Sequence, residues 1–143
     1  MGSLGFLSPI LVFLSSCSYP DVDNYLLAYI SFGLAYINAT DTSSQITLLL
    51  KNATTVRDEY LIAGLTKCGR SYKMAISATE EAYNDLNSET YSNLRDLASV
   101  AAQSAANCEG ALNGTARPSL LTRRNKGLRG LCEICVVISN LFT

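Results

Sequence analysis

Hydrophobic residues in the middle of the chain recur at alternating spacings of four and three, the pattern of a helix with one apolar face. The first such stripe lies between Arg57 and Leu86 and has one polar member, Thr79; it runs through Leu61, Leu65, Cys68, Tyr72, Ala75, Thr79, Ala82 and Leu86. A second stripe follows the same rule through Tyr91, Leu94, Ala98, Ala101, Ala105, Cys108 and Leu112. Asn87-Ser88 between them is typical of a turn, so the pattern predicts two long antiparallel helices.

Two further helices are predicted on either side of this hairpin. Pro118 marks the entry to a helix from about Leu120 to Leu141 that keeps the same spacing. Near the start, a stripe of Leu27, Ile30, Leu34 and Ile37 is followed by a polar stretch, 41–45, and then resumes at Ile46, which predicts one interrupted helix. No strand alternation and no glycine-rich phosphate loop occurs. The expected fold is therefore all-α, an antiparallel up-and-down four-helix bundle.

Apart from Cys17, which lies in the predicted signal segment, the five cysteines divide into a pair that should bond and a pair that should not. Cys68 and Cys108 each lie 20 positions from Ser88 and fall on the two inward stripes, so an antiparallel hairpin places them opposite each other. We expect a disulfide between them. Cys132 and Cys135 lie inside a predicted helix with no second ligand pair in reach, so they are interpreted as core thiols rather than as a redox or zinc motif.

The first residues are typical of a secretory signal. An apolar run from Leu4 to Leu14 is followed by small residues up to Ser18, which predicts a signal peptide over 1–18 and a bundle domain over 19–143. The alternative interpretation is a buried first helix. Three glycosylation sequons, at Asn38, Asn52 and Asn113, support secretion.

Composition narrows the function. A chain of 143 residues with 48% hydrophobic and 16% charged residues suits one globular domain. It contains no histidine, which excludes serine–histidine and cysteine–histidine catalysis and most zinc sites, and we expect no cofactor and no metal. Five cations cluster at 117–129 without interleaved aromatic residues, so no nucleic-acid partner is expected. The apolar segment from Tyr25 to Ile37 is too short for a transmembrane helix.

One set of residues resembles the plant invertase inhibitor and pectin methylesterase inhibitor family. It comprises Cys68, Tyr72, Ala75, Glu80, Glu81 and Ala82, then Tyr91, Ala101, Ala102 and Cys108-Glu109, then Pro118, Leu121, Asn125, Leu128 and Leu131. The resemblance implies a secreted, cell-wall helical bundle that is not an enzyme and that blocks a target in a reversible one-to-one complex. Such domains open with a disulfide-closed hairpin, but here Leu14 and Asp23 stand about where its cysteines would be.

The resemblance leaves two targets open, pectin methylesterase and acid invertase. The Pro-Lys-Phe tripeptide of many invertase inhibitors is absent from 54–58, whereas the ending around Arg123 and Cys135 resembles the invertase-inhibitor branch. We expect the contact with the target to be made by outward residues of the central hairpin, namely Arg57, Asp58, Glu80, Asp85 and Arg95. The acids suit a basic pectin-binding groove and Arg57 suits a carboxylate-lined invertase cleft. The alternatives are a membrane- or lipid-associated helical protein and a family copy without inhibitory activity.

Overall fold

The structure, a computed structural model, describes residues 20–142 of the chain, with side chains from residue 24 onward. Its helices are α1 (Pro20–Val56), α2 (Glu59–Asn87), α3 (Leu94–Leu112) and α4 (Thr122–Ser139), followed by a short 3₁₀ turn (Asn140–Phe142). Each helix packs on the next, and α1 packs on α4, which closes the bundle. The predicted four-helix bundle is thus confirmed. The predicted signal peptide, 1–18, lies outside the described residues.

The first helix is continuous, and the predicted interruption at 41–45 is wrong. Thr42 is fully buried, and its hydroxyl donates to Asn38 Oδ1 one turn earlier at 3.4 Å. Asp41 and Ser44 are exposed to solvent, so their polar groups do not have to be accommodated in the core. The helix therefore crosses the polar stretch without a break and buries Phe32 and Ile46 on either side of it. No helix within residues 20–142 is long and apolar enough to cross a bilayer.

The central hairpin follows the predicted stripes. Asp58 begins α2 by accepting a hydrogen bond from the backbone N–H of Leu61 at 3.1 Å, a standard N-cap. Thr79, the polar member of the stripe, is buried and satisfies its hydroxyl by donating to the carbonyl of Ala75 at 2.9 Å. On α3 the buried positions are mostly small, among them Ala98, Ala101 and Ala105, which lets the neighbouring helices approach closely.

The last helix begins just after Pro118, as predicted, and α-helical geometry ends at Ser139. Leu128, Cys132, Cys135 and Ile138 form its buried face. In the 3₁₀ turn that follows, Phe142 stacks on Tyr91 with ring centroids 4.5 Å apart. The end of the chain is thereby packed beside the turn that joins α2 to α3.

Candidate functional site

A disulfide joins the middle of α2 to the middle of α3. Cys68 and Cys108 are bonded, as predicted, and both are fully buried. Closing a loop of 40 residues restricts the unfolded chain and stabilises the fold by about 4 kcal/mol in the chain-entropy model. The covalent link makes the α2–α3 hairpin the most tightly tied pair of helices in the described part of the bundle.

The other two described cysteines are free thiols in the core. Cys132 and Cys135 are both buried on α4. Burial raises the pKa of the Cys132 thiol to about 12, with a smaller contribution from the Glu133 carboxylate, and burial likewise raises the pKa of Cys135. A thiol that stays protonated is a poor nucleophile and a poor metal ligand. Their arrangement supports the interpretation of these residues as core thiols.

A buried polar network ties α4 to the same two helices. The hydroxyl of Tyr72 on α2 donates to Asn125 Oδ1 on α4 at 2.7 Å, and Asn125 Nδ2 donates to Glu109 Oε2 on α3 at 2.6 Å. The hydroxyl of Thr122 donates to the other carboxylate oxygen of Glu109. Burial raises the pKa of Tyr72 well above its ordinary value, and the adjacent Thr42 side chain on α1 partly offsets this. The network therefore touches all four helices.

Sequence reasoning missed this network, although Tyr72, Glu109 and Asn125 belong to the set that carries the family resemblance. A signal was present in the chain. Asn125 lies three positions before Leu128 on the buried face of α4, where an amide is costly unless its hydrogen bonds are satisfied. A polar residue on an apolar stripe thus indicated that partners from other helices had to meet it.

The outward seam between α2 and α3 forms a shallow groove of about 390 Å³. Its lining residues are Lys73, Met74, Ser77, Ala78 and Glu81 from α2 with Leu97 and Val100 from α3. Met74 is 58% exposed and Val100 is 40% exposed, so the groove presents apolar side chains from both helices to solvent. An apolar strip with a charged rim is the usual composition of a protein-binding surface. Neither Met74 nor Val100 was among the predicted contact residues.

The exposed face of α2 is divided by charge. Lys67, Arg70 and Lys73 lie on its first two-thirds, whereas Glu80 and Glu81 follow within two turns, and all five are exposed. The acidic pair lies at the end of the groove nearer the α2–α3 turn. A partner lying along this seam meets an apolar centre with cations on one side and carboxylates on the other.

The five predicted contact residues do not form one cluster. Arg57 and Asp58 precede α2, while Asp85 lies near its end, so about 40 Å of helix separates them. Glu80 and Asp85 are five positions apart, which places them about 140° apart around the helix. Asp58 is occupied as the N-cap, and Asp85 is half-buried with Oδ2 shielded from solvent and without a described partner. Only Arg57, Glu80 and Arg95 are simple exposed charges.

The three sequons differ in accessibility. Asn52, in the last turns of α1, and Asn113, just after α3, are exposed. Asn38 is half-buried in the α1–α4 seam, where its Nδ2 lies 3.1 Å from the point that a Cβ on Gly127 would occupy. A glycan on Asn38 would have to leave a partly covered side chain packed against Gly127 and would compete with that contact. We therefore expect Asn52 and Asn113, but not Asn38, to carry sugar.

Within residues 20–142, no group of three or more histidine, cysteine or acidic side chains is arranged to hold a metal ion. Glu80 and Glu81 lie on the exposed face of α2 and Asp85 is half-buried near its end, so these three acids do not converge on one site. The arrangement suits recognition of another macromolecule by a rigid surface.

Comparison with known proteins gives a consistent picture. The family model described as plant invertase/pectin methylesterase inhibitor matches residues 13–138. A pectinesterase inhibitor from Actinidia deliciosa is 34% identical over 116 residues, which are 80% of this chain and 61% of that protein. Pectinesterase inhibitor 2 from Arabidopsis thaliana is 30% identical over 121 residues, 83% of this chain and 67% of that protein. The chain thus spans about three-fifths to two-thirds of the length of these relatives.

The fold is also found among solved structures. A pectin methylesterase inhibitor from Arabidopsis thaliana superimposes with a TM-score of 0.77 over 92% of this chain and 85% of its own, at 21% sequence identity. At that identity the superposition establishes the fold alone.

Proposed function

Because the chain belongs to the plant invertase/pectin methylesterase inhibitor family, we propose that it is a secreted inhibitor that blocks pectin methylesterase in a reversible one-to-one complex. The family is one of inhibitors and not of enzymes, and both curated relatives are named for pectinesterase inhibition. The observation that carries the proposal is the groove on the α2–α3 seam, an apolar strip with a charged rim on a hairpin held by a disulfide.

The groove suits this role because a binding surface gains affinity when it is rigid before the partner arrives. Met74 and Val100 supply an apolar centre from which water is excluded when the partner binds. The adjacent residues supply the rim. Glu80 and Glu81 should complement the charge of the partner. A groove that accepts a pectin chain bearing carboxylates is expected to be basic, and exposed acids on the inhibitor complement a basic groove. The proposed contact surface is therefore the groove together with Glu80.

The test is inhibition of a purified pectin methylesterase by the double variant Glu80→Lys/Glu81→Lys. We expect the inhibition constant to rise at least roughly tenfold, with a slower association rate and an altered salt dependence. The matched control is Asp41→Lys/Glu133→Lys, which makes the same charge change at exposed acids on α1 and α4. Far-ultraviolet circular dichroism checks that both remain folded. Equal weakening of inhibition by the two variants would show that the α2–α3 seam is not part of the contact surface.

A second pair probes the apolar centre. Met74→Ala and Val100→Ala should each weaken inhibition without loss of helicity, since both side chains are largely exposed in the free protein. Val137→Ala, at a 64% exposed position on α4, is the control and should leave inhibition unchanged. A folded wild-type chain that inhibits no pectin methylesterase at micromolar concentration would contradict the proposal and favour a family copy without inhibitory activity.

Invertase is the second candidate target, and one feature favours it. Arg57, between α1 and α2, adopts a left-handed backbone with φ 57°, a conformation that is strained for a side chain of this size. The preceding Val56 and Tyr60, in the first turn of α2, are 72% and 81% exposed, so Arg57 lies among solvent-exposed side chains at the end of the bundle. An exposed cation suits an invertase cleft lined by carboxylates. Arg57→Glu should then abolish inhibition of an acid invertase and leave inhibition of pectin methylesterase unchanged.

Secretion is proposed from residues 1–18 and supported by the disulfide, which persists in oxidising compartments. Amino-terminal sequencing of the protein from culture medium should find a start near Ser18 or Tyr19. Treatment with a glycosidase should shift its mass by the glycans on Asn52 and Asn113. An intact Met1 on intracellular product would contradict secretion.

A further inference from the structure

The outward face of α4 carries a row of cations that the inhibitor complex proposed above does not use. Arg123, Lys126 and Arg129, which we call the basic face, are all exposed and lie three positions apart, so the row winds obliquely around the helix by about 60° at each step. Successive members are separated by about 4.5 Å along the helix axis. Arg117 in the preceding loop is also exposed. Among residues 20–142, none of the three side chains of the basic face makes a hydrogen bond or ion pair.

The position of these cations is unfavourable for the isolated fold. The positive end of the helix dipole lies at the start of α4, and its first turn contains Arg123 but no acid. Cations there repel the dipole as well as each other, and the Glu109 carboxylate, which accepts hydrogen bonds from Thr122 and Asn125 in that turn, offsets only part of the repulsion. An external anion would reduce both the repulsion among the cations and their repulsion by the helix dipole. The nearest acid on α4, Glu133, follows one turn after Arg129.

We propose that the basic face of α4 binds de-esterified pectin, a polyuronate chain, and so holds the inhibitor on the product of its target enzyme. The inference rests on the proposed function, because a pectin methylesterase converts methyl esters on the pectin chain into carboxylates. Each sugar of that product carries one carboxylate, a linear row of charges on the scale of one sugar ring. The row of cations on α4 is its complement.

The surroundings of the basic face favour a polysaccharide over other polyanions. Residues 122–139 contain no aromatic side chain on which a nucleic-acid base could stack. Leu128, the apolar residue within the row, is buried, and the exposed apolar residue of α4, Val137, lies about two turns beyond Arg129, so the cations themselves are not interleaved with groups that enter a lipid surface. Gly130 is exposed, and nothing lies within 4 Å of the position that a Cβ on it would occupy, which leaves room beside the cations for hydroxylated sugar rings.

The basic face is separate from the proposed contact surface, so one protein can hold both partners. The groove lies between α2 and α3, whereas Arg129 lines a different groove between α3 and α4 with Gln103 and Glu133. The inhibitor would then concentrate where pectin has already lost methyl esters, next to the enzyme that produced them.

The experiment measures binding of the full mature chain to immobilised polygalacturonate and to highly methyl-esterified pectin over a series of sodium chloride concentrations. We expect binding to the de-esterified polymer, weaker binding to the esterified one, and loss of binding as salt rises. The triple variant Arg123→Gln/Lys126→Gln/Arg129→Gln should weaken binding roughly tenfold, as expected for three exposed charge interactions. Its thermal midpoint should stay the same or rise, because the repulsion at the start of α4 is relieved.

The matched control is Lys67→Gln/Arg70→Gln/Lys73→Gln, which removes three exposed cations with the same spacing from α2. It should leave binding to polygalacturonate within about twofold. Equal loss in both variants would show attraction by overall charge and would overturn the proposal. Tighter binding to single-stranded nucleic acid or to anionic vesicles than to polygalacturonate would also overturn it.

Inhibition assays on the same proteins separate this inference from the proposed function. The α4 triple variant should inhibit pectin methylesterase as the parent does when the substrate is short and soluble. A parent that inhibits the enzyme but does not bind polygalacturonate contradicts only the inference on α4. A parent that binds polygalacturonate but inhibits no pectin methylesterase contradicts only the proposed inhibition.

Discussion

Two chemically different interactions join the helices of the bundle, and they lie within one helical turn of each other. On α2, Cys68 makes a covalent bond to α3, and Tyr72, four residues later, begins the hydrogen-bonded network to α4. On α3, Cys108 belongs to the covalent link and its neighbour Glu109 to the polar one. We call these the disulfide clamp and the polar clamp. The first ties two helices regardless of protonation, whereas the second ties a third helix only while each donor and acceptor is present.

The comparison explains why the α2–α3 hairpin, and not another pair of helices, carries the proposed contact surface. A covalent link keeps the groove between Met74 and Val100 in shape even when the surrounding helices fluctuate. The polar clamp instead sets the register of α4, since Asn125 satisfies both of its partners in only one position. The following changes separate the two clamps, beginning with the largest expected effect.

Removing the disulfide clamp should have the largest effect on stability. Cys68→Ala/Cys108→Ala should lower the free energy of unfolding by about 4 kcal/mol, because the unfolded chain regains the entropy of a 40-residue loop. Urea unfolding with and without a reductant measures this. In the control Cys132→Ala/Cys135→Ala, reductant should still shift the midpoint, since those thiols are free. If the wild-type protein had the same urea midpoint with and without reductant, that result would contradict the disulfide clamp.

Breaking the polar clamp should cost somewhat less. Asn125→Ala leaves the hydroxyl of Tyr72 and a carboxylate oxygen of Glu109 without their partner inside the bundle. We expect the free energy of unfolding to fall by about 3 kcal/mol, the cost of buried unsatisfied groups plus a small cavity. Asn107→Ala on the exposed face of α3 is the control and should change stability by less than about 0.5 kcal/mol. Similar values for the two variants would show that the network contributes little.

The α1–α2 seam contains neither the disulfide nor the half-buried Glu109 carboxylate, so it is the place to test the contribution of close packing. The hydroxyl of Tyr83 lies where a Cβ on Gly33 would stand, which makes this glycine necessary for the ring to reach its place. Gly33→Ala should destabilise the protein by about 1–2 kcal/mol through overpacking. Adding Tyr83→Phe removes the clashing oxygen and should restore part of that loss, as a double-mutant cycle would show. Strict additivity of the two changes would contradict this contact.

Alkaline pH should weaken the polar clamp and spare the disulfide clamp. The pKa of Tyr72 is raised by burial, so the folded state holds this proton more tightly than the unfolded state. Its contribution is complete below the unfolded value of 10.0 and is lost as pH rises above it. Once the unfolded side chain is ionised, the slope approaches about 1.4 kcal/mol per pH unit.

The control for this pH dependence is Tyr72→Phe, which should be less stable at neutral pH and should lose stability less steeply above pH 10. The buried Cys132, with its pKa raised from 9.0 to about 12, adds a second loss from pH 9 upward that Cys132→Ala removes. Urea unfolding at several pH values measures both slopes. Parallel curves for the parent and Tyr72→Phe would contradict a role for the tyrosine proton.

Much of the fold was determined by the sequence by itself, because it depends on local periodicity. A stripe with alternating spacings of four and three can bury its apolar face only as a helix, and the short turn at Asn87-Ser88 leaves only an antiparallel neighbour. Given that hairpin, equal distances from the turn also determine that Cys68 meets Cys108. The family resemblance includes several of these positions but also needs residues outside them, such as Glu109 and Asn125. Each of these inferences needs only distance along the chain.

Only the tertiary structure decided the features that depend on side chains from separate helices. Thr42 and Asn125 are polar residues on buried faces, and whether they break a helix or join a network depends on what other helices bring to them. Asn38 is a valid sequon in sequence and lies in a packed seam in space. The five predicted contact residues share one hairpin, yet about 40 Å of helix separates its ends, so sequence proximity did not become surface proximity. A helical pattern determines which face of a helix is buried. The residues that contact that face, and the residues that lie beside one another on the outer surface, are determined only when the helices pack.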